Sequence, residues 1–236
     1  MNSLRLLLAA AMRLSALRRW PVRRVLMKQL YFCGIEALPL LLFIGISVGG
    51  IVVAQLHYQI GQSGEGSLSL LARITLAELA PMLTAILLTA RSSSAMASEL
   101  AMMRLHGELA ALARMGVDVR AYLVMPRIVG MMLANTVLTC YFALAALLTG
   151  AVAVAGFGWL TELARLPTSL SVSTLWLCLA KSVVFGAAMA TVACARGLSG
   201  GLSVTDVPIA ASSAVIRAVL TLFALDLGFI LLGHIA

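Results

Sequence analysis

The chain has 236 residues, 62% of them hydrophobic and only 11% charged, where an ordinary soluble domain has roughly 25% charged. A water-soluble fold built from this composition would lack polar surface, which excludes soluble enzymes, secreted disulfide scaffolds and large nucleic-acid binders. The 17 Lys and Arg outnumber the 9 Asp and Glu by a formal net charge of +8, an excess that a membrane surface explains without any nucleic acid.

The first 33 residues hold seven positive charges and no negative one, at Arg5, Arg13, Arg18, Arg19, Arg23, Arg24 and Lys28. A signal peptide would need its apolar core at residues 4 to 12, but Arg5 interrupts that stretch, so no cleavage is expected. After Pro21, which suits a helix start, Val22, Val25, Leu26, Leu30 and Cys33 recur at helical spacing while Arg23, Arg24 and Lys28 take other faces. That pattern predicts an interfacial helix on an anionic leaflet, and residues 1 to 34 form a basic N-terminal segment.

Residues 37 to 56 run 20 positions without a charge and residues 128 to 161 run 34, and about 20 suffice for a helix to cross a bilayer. No alternation of barrel strands appears, so the expected fold is all-α and polytopic: the interfacial helix, five transmembrane helices and a cytoplasmic helix. The spans are placed at about 35 to 56, 68 to 91, 126 to 150, 172 to 194 and 207 to 233, within one transmembrane unit of residues 35 to 236. With the N-terminus in the cytoplasm, the seven N-terminal charges, Arg91, Arg104, Arg114, Arg120, Arg127 and Arg196 all fall inside. Arg73 and Arg165 alone fall outside, so the positive-inside rule predicts a cytoplasmic N-terminus and a periplasmic C-terminus. The outer loops, 57 to 67 and 151 to 171, are rich in Gly, Ser and Thr.

Residues 95 to 118 differ from the spans. Glu99, Arg104, Glu108 and Arg114 interrupt Leu100, Met103, Leu109 and Leu112, which predicts an amphipathic cytoplasmic helix over about 97 to 115, stopped by Gly116. On one continuous helix Arg104, Glu108 and Leu112 share a face suited to a partner's groove. The bland alternative is a helix resting on headgroups.

Cys33, Cys140, Cys178 and Cys194 lie far apart in apolar runs and read as buried small side chains. His57, His106 and His234 are equally scattered, so no metal site and no catalytic constellation is expected. No phosphate-binding loop of the G-x-x-x-x-G-K-[ST] type occurs, so ATP and its Mg, if used, belong to another subunit.

Charged residues inside the spans stand out. From about 1.5 Å rise per residue, Lys181 lies roughly 13 Å, Asp226 roughly 10 Å and Glu78 roughly 15 Å from the outer ends of their spans. Sharing one layer, they are expected to pair across helices, because an unpaired charge at that depth costs several kcal/mol. Arg217 is nine residues from Asp226, about half a turn out of phase, so those two cannot face each other.

The run Glu78-Leu79-Ala80-Pro81, Thr84 to Arg91, Ser94-Ala95, Ala97-Ser98-Glu99-Leu100, Met103-Arg104, Met115-Gly116-Val117-Asp118 and Pro126-Arg127 resembles the signature of the MlaE/YrbE permeases, as do Lys181 to Gly186 and Leu225-Asp226. The resemblance spans about residues 22 to 233. The sequence departs from the family at Ala77, where Arg is usual and Arg73 one turn earlier could substitute; at His106-Gly107-Glu108, which replaces Thr-Glu-Gln; and at Asp206-Val207-Pro208, which replaces a glycine-rich turn.

The resemblance implies a permease subunit, not itself an enzyme, of an ABC transporter in the bacterial inner membrane. It would move phospholipid or a related lipid to or from a periplasmic MCE-domain carrier. Its partners would be a cytoplasmic ABC ATPase, which binds the ATP and Mg, and a second permease chain in a homodimer. Under this reading Glu78, Lys181, Asp226, Arg217 and Arg73 belong to the substrate pathway, and Glu99, Arg104, Glu108, Leu112 and Arg114 to ATPase coupling. The rival reading is an ion- or proton-coupled secondary transporter or channel using the same buried charges; a third is a scaffold that anchors a partner.

Overall fold

The computed structural model describes residues 20–60, 72–156, 159–161, 164, 172–199, 201 and 203–235. Residues 1–19, most of both outer loops and Arg165 lie outside the described residues. Seven helices make up the described chain, without a strand among its residues: α1 Trp20–Cys33, α2 Leu38–Ile60, α3 Ala72–Leu105, α4 Glu108–Arg114, α5 Met125–Ala155, α6 Val172–Ser199 and α7 Asp206–Ile235. Five stretches, Arg23–Val52, Ala72–Leu105, Arg120–Ala153, Val172–Ser199 and Asp206–Leu232, are long and apolar enough to cross a membrane. The expected all-α membrane architecture is what forms.

Helix α1 buries the stripe that its spacing predicts. Cys33 is fully buried and Val25, Leu26 and Leu30 half-buried, with Arg23, Arg24 and Lys28 exposed. Gln29 is buried too, and its amide donates to Cys33 Sγ at 2.8 Å. A short 3-10 turn, Ile35–Ala37, joins α1 to α2, and both pack along α5. The approach of α2 to α5 is close because Gly45 and Gly49 face Phe142, Ala145 and Ala146: a Cβ at Gly49 would collide with the Ala146 backbone. This is small-residue packing of the kind that brings membrane helices together.

Helix α3 is longer than the expected span. It runs on past Arg91 to Leu105 and carries two π turns, Thr75–Leu79 and Thr89–Ser93; a third, Arg120–Val124, leads into α5. Two of the three are followed directly by a proline in the next turn, Pro81 and Pro126. A proline lacks the N–H that closes the helix four residues back, and a widened turn accommodates the gap.

The single helix expected over 97 to 115 is divided. Gly107 adopts φ +74°, ending the helical run at Leu105, and α4 is a separate seven-residue helix. A residue with a side chain resists this left-handed conformation, and glycine does not. Arg104 therefore no longer shares a helix face with Glu108 and Leu112. A second correction concerns the cysteines: three are buried as expected, but Cys140 is exposed on the outer face of α5.

The core runs through α2, α3, α5 and α6, with Leu41, Leu88, Met131, Leu138, Phe142, Phe185 and Met189 nearly or fully buried. Helix α7 packs on α6 and α3 and turns Ile216, Leu220, Phe223 and Leu227 outward.

Candidate functional site

Lys181 is the hub of the site. Its side chain is 1% exposed, and its ammonium donates to Glu78 Oε2 at 2.7 Å, to Asp226 Oδ1 at 2.9 Å and to the Ala77 carbonyl at 3.2 Å. An ammonium has three N–H donors, so this set satisfies all of them. The carboxylates come from different helices, Glu78 from α3 and Asp226 from α7, which makes Lys181 of α6 the tie between three spans. The Phe229 ring lies 5.9 Å from the ammonium and packs edge-on against Phe185 at 6.3 Å, closing one side with apolar surface.

The carbonyl partner has a local cause. Pro81 stands four residues after Ala77 and has no N–H to return to it, and both Ala77 and Glu78 lie in the π turn Thr75–Leu79. The Ala77 oxygen is thereby available to a donor from another helix, and Lys181 supplies it. Glu78 is the open side of the cluster: its side chain is 42% exposed, against 17% for Asp226. The arrangement offers charge and hydrogen bonds to a polar group arriving at Glu78, and no nucleophile poised for bond chemistry.

Further along the bundle a seam of hydroxyls crosses from α3 through α5 to α6. Thr84 Oγ1 meets Thr139 Oγ1 at 2.8 Å, the Asn135 amide donates to the Ser182 carbonyl at 2.7 Å, and Ser182 donates to Thr136 at 3.3 Å. Each hydroxyl has a single hydrogen and a choice of acceptors, since a carbonyl of its own helix is also within reach: Ala80 for Thr84, Asn135 for Thr139, Leu179 for Ser182.

The pairing of Lys181 with Glu78 and Asp226 agrees with the depth argument made from the sequence. Arg217 and Arg73 do not join it. Arg73 is exposed in the first turn of α3. Arg217 is exposed on α7 and lines a separate cavity between α6 and α7.

The residues expected to couple to an ATPase divide into two groups. Glu99 and Arg104 are engaged within the chain. Glu99 holds Arg127 of α5 at 2.8 Å, and Arg104 donates to the Leu198 carbonyl near the end of α6, where a cation also answers the helix dipole. Glu108, Leu112 and Arg114 lie on α4; Glu108 and Arg114 are exposed, and Glu108 lies 3.9 Å from the imidazole of exposed His106.

Sequence reasoning missed two features at the same end. Arg91 bonds Glu36 at 2.6 Å and the Phe32 carbonyl at 3.1 Å, with its guanidinium 5.2 Å from the Phe32 ring, so α3 holds the α1–α2 junction. The buried Arg127 side chain, 4% exposed, keeps two of its nitrogens without partners. The Pro81 spacing was a readable sign of the Ala77 acceptor; nothing in the sequence pointed to Glu36.

Comparison with known proteins bears on this arrangement. The model of a family described as Permease MlaE matches residues 26–232. The chain is 30% identical over 210 residues to "Probable ABC transporter permease protein slr1045" of Synechocystis, covering 85% of this chain and 78% of that protein. It is 31% identical over 120 residues to "Intermembrane phospholipid transport system permease protein MlaE" of Haemophilus influenzae, an alignment that covers 50% of this chain and 46% of that protein.

Proposed function

The chain belongs to the MlaE permease family, and from that premise we propose that it is the membrane subunit of an ABC transporter that moves phospholipid between the inner membrane and a periplasmic MCE-domain carrier. The observation that carries the reading beyond membership is the Lys181 cluster: a buried ammonium shared by carboxylates of two helices, open on its Glu78 side. Buried charge at such depth is costly unless it has a use, and a lipid headgroup is the polar cargo for which a half-open, charged layer between apolar helices is suited.

A cytoplasmic ABC ATPase supplies the energy, binding ATP and Mg in its own subunit. Helix α4, set off from α3 by Gly107 with Glu108 and Arg114 exposed, is the surface offered to it. Two copies of the permease form the assembly, each docking one ATPase. ATP-driven closure then shifts the helices between two arrangements and changes access to the Lys181 layer, without bond chemistry on the lipid. In the membrane, the N-terminus and the Arg91, Arg104 and Arg127 end face the cytoplasm, and the end near Ile235 faces the periplasm. Arg217 lines a cavity of its own, so the four-charge ion path of the rival reading lacks one of its members.

The experiment is purification of the full chain from its native membrane in mild detergent, followed by mass spectrometry of what accompanies it. Co-purification of an ABC ATPase, an MCE-domain protein and phospholipid is the expected result. A chain recovered with neither protein, able to dissipate a proton gradient when reconstituted alone, would overturn the proposal.

A further inference from the structure

Arg196 of α6 and Arg217 of α7 line one cavity of about 480 Å³ between the two helices, together with Ser199, Thr221, Val192 and Leu220. No carboxylate lines it. Among the described residues neither guanidinium makes an ion pair or a side-chain hydrogen bond. The hydroxyls do not change the sign of the site, because Ser199 and Thr221 donate to the carbonyls of Arg196 and Arg217 in their own helices, at 3.2 and 2.7 Å.

This is out of keeping with the rest of the molecule. Every other buried or half-buried Lys or Arg among the described residues has an acceptor: Lys181 has two carboxylates, Arg127 has Glu99, Arg91 has Glu36 and Arg104 has the Leu198 carbonyl. Arg196 is the exception, and a second arginine faces the same space. Two like charges beside a low-dielectric wall repel unless an anion lies between them. Two guanidiniums together present ten N–H donors in planar forks, which match the oxygens of a phosphate.

Position and neighbours narrow the anion. Arg196 is three residues from the end of α6 at Ser199, about 4.5 Å along the axis. Arg217 is 11 residues into α7, about 16 Å along it, and its long side chain can reach back toward the same end as membrane arginines commonly do. That end is the one where Arg91 and Arg104 lie, the arginine-rich end that the positive-inside rule turns toward an anionic leaflet. Beside the cavity Ile216, Leu220 and Phe223 of α7 are 61%, 63% and 55% exposed, a wall on which acyl chains can lie.

We propose that Arg196 and Arg217 form a phosphate-binding site, separate from the Lys181 cluster, that takes the phosphodiester headgroup of a phospholipid in the leaflet at the arginine-rich end. The site holds such a lipid whether or not that lipid is the transported cargo, so it stands apart from the transport reading.

The test uses the full chain in detergent, titrated with phosphatidylglycerol or with diacylglycerol of the same acyl chains and read by native mass spectrometry. The first equivalent of phosphatidylglycerol is expected to be retained about tenfold better than diacylglycerol, as charge-assisted pairing requires. In the double variant Arg196→Gln with Arg217→Gln, retention of phosphatidylglycerol is expected to fall several-fold, to what the untouched Lys181 layer holds. The double variant Arg196→Lys with Arg217→Lys keeps the charge and is expected to keep part of the preference, which separates loss of the site from loss of the fold. Equal retention of both lipids by the unaltered chain, or undiminished phosphatidylglycerol on the Gln pair, would overturn the site. Displacement of the lipid by inorganic phosphate at equal concentration would overturn the headgroup assignment in favour of a soluble anion.

Discussion

Arg127, with a side chain 4% exposed, is held at 2.8 Å by Glu99, whose side chain is 58% exposed. The pair is lopsided: the cation is buried and, among the described residues, its only carboxylate partner stands at the surface. Losing Glu99 strands a desolvated charge, whereas losing both partners leaves apolar space that can repack. Glu99→Ala is therefore expected to destabilise the protein by about 1 to 3 kcal/mol, and Glu99→Ala combined with Arg127→Met by less. Thermal melting in detergent checks this, and a double variant weaker than the single one would refute it.

The Lys181 cluster yields a prediction of a different kind. Removing the ammonium leaves Glu78 and Asp226 facing each other without their shared cation, at a cost of about 1 to 3 kcal/mol, below that of a fully buried pair because the Glu78 side chain is 42% exposed. Lys181→Ala is expected to abolish lipid transfer in a reconstituted assembly and to lower the melting temperature. Exchanging the charges, Lys181→Asp with Asp226→Lys, is expected to restore folding and leave transfer absent, since the charge offered beside Glu78 has moved. Full recovery of transfer would reduce the cluster to a clasp between spans.

Pro81 can be separated from stability. Replacing it with Ala returns an N–H to the helix where proline in an interior costs about 3 kcal/mol, so Pro81→Ala is expected to melt no lower than the parent. The new N–H competes with Lys181 for the Ala77 carbonyl and favours an ordinary turn over the π turn that positions Glu78. Lipid transfer should fall although the fold is intact. A variant that melts lower, or transports normally, contradicts the role given to the π turn.

Gly107 tests the division between α3 and α4. Nothing lies within 4 Å of a Cβ built there, so the cost of Gly107→Ala is that of the backbone alone, about 1 to 2 kcal/mol. The relaxed alternative is a right-handed residue that fuses the two helices and swings Glu108 and Arg114 to a new direction. Gly107→Ala is expected to weaken recovery of the ATPase in a pull-down, and Gly107→Asn, which tolerates the left-handed region better, to weaken it less.

How much of this could be read without coordinates depends on the kind of signal. Span number and the shared depth of Glu78, Lys181 and Asp226 are one-dimensional quantities, fixed by apolar run length and helical rise, and they were legible. The break at Gly107 was half legible: glycine marks a weak point, but whether a helix bends, continues or stops there depends on what the neighbouring turns gain. Arg104 gained the Leu198 carbonyl, 94 positions away, and that contact belongs to three-dimensional packing. Arg217 was named only as a residue of the substrate pathway, because a residue type inside a span carries no azimuth relative to other helices. The half-turn offset from Asp226 was visible; the cavity that Arg217 shares with Arg196 was not.

The hydroxyl seam bears on how such a bundle moves. Thr84, Thr139 and Ser182 each keep a carbonyl of their own helix within reach while touching a neighbour's polar group. If α5 slides against α3 or α6, the contacts between helices part, yet no hydroxyl is left stranded in an apolar interior. Asn135 alone among them spends its amide on another helix and has no second partner for its oxygen. The seam therefore behaves as a bearing with one latch: most of it offers little resistance to shear, and the Asn135–Ser182 bond sets the position at which the helices come to rest.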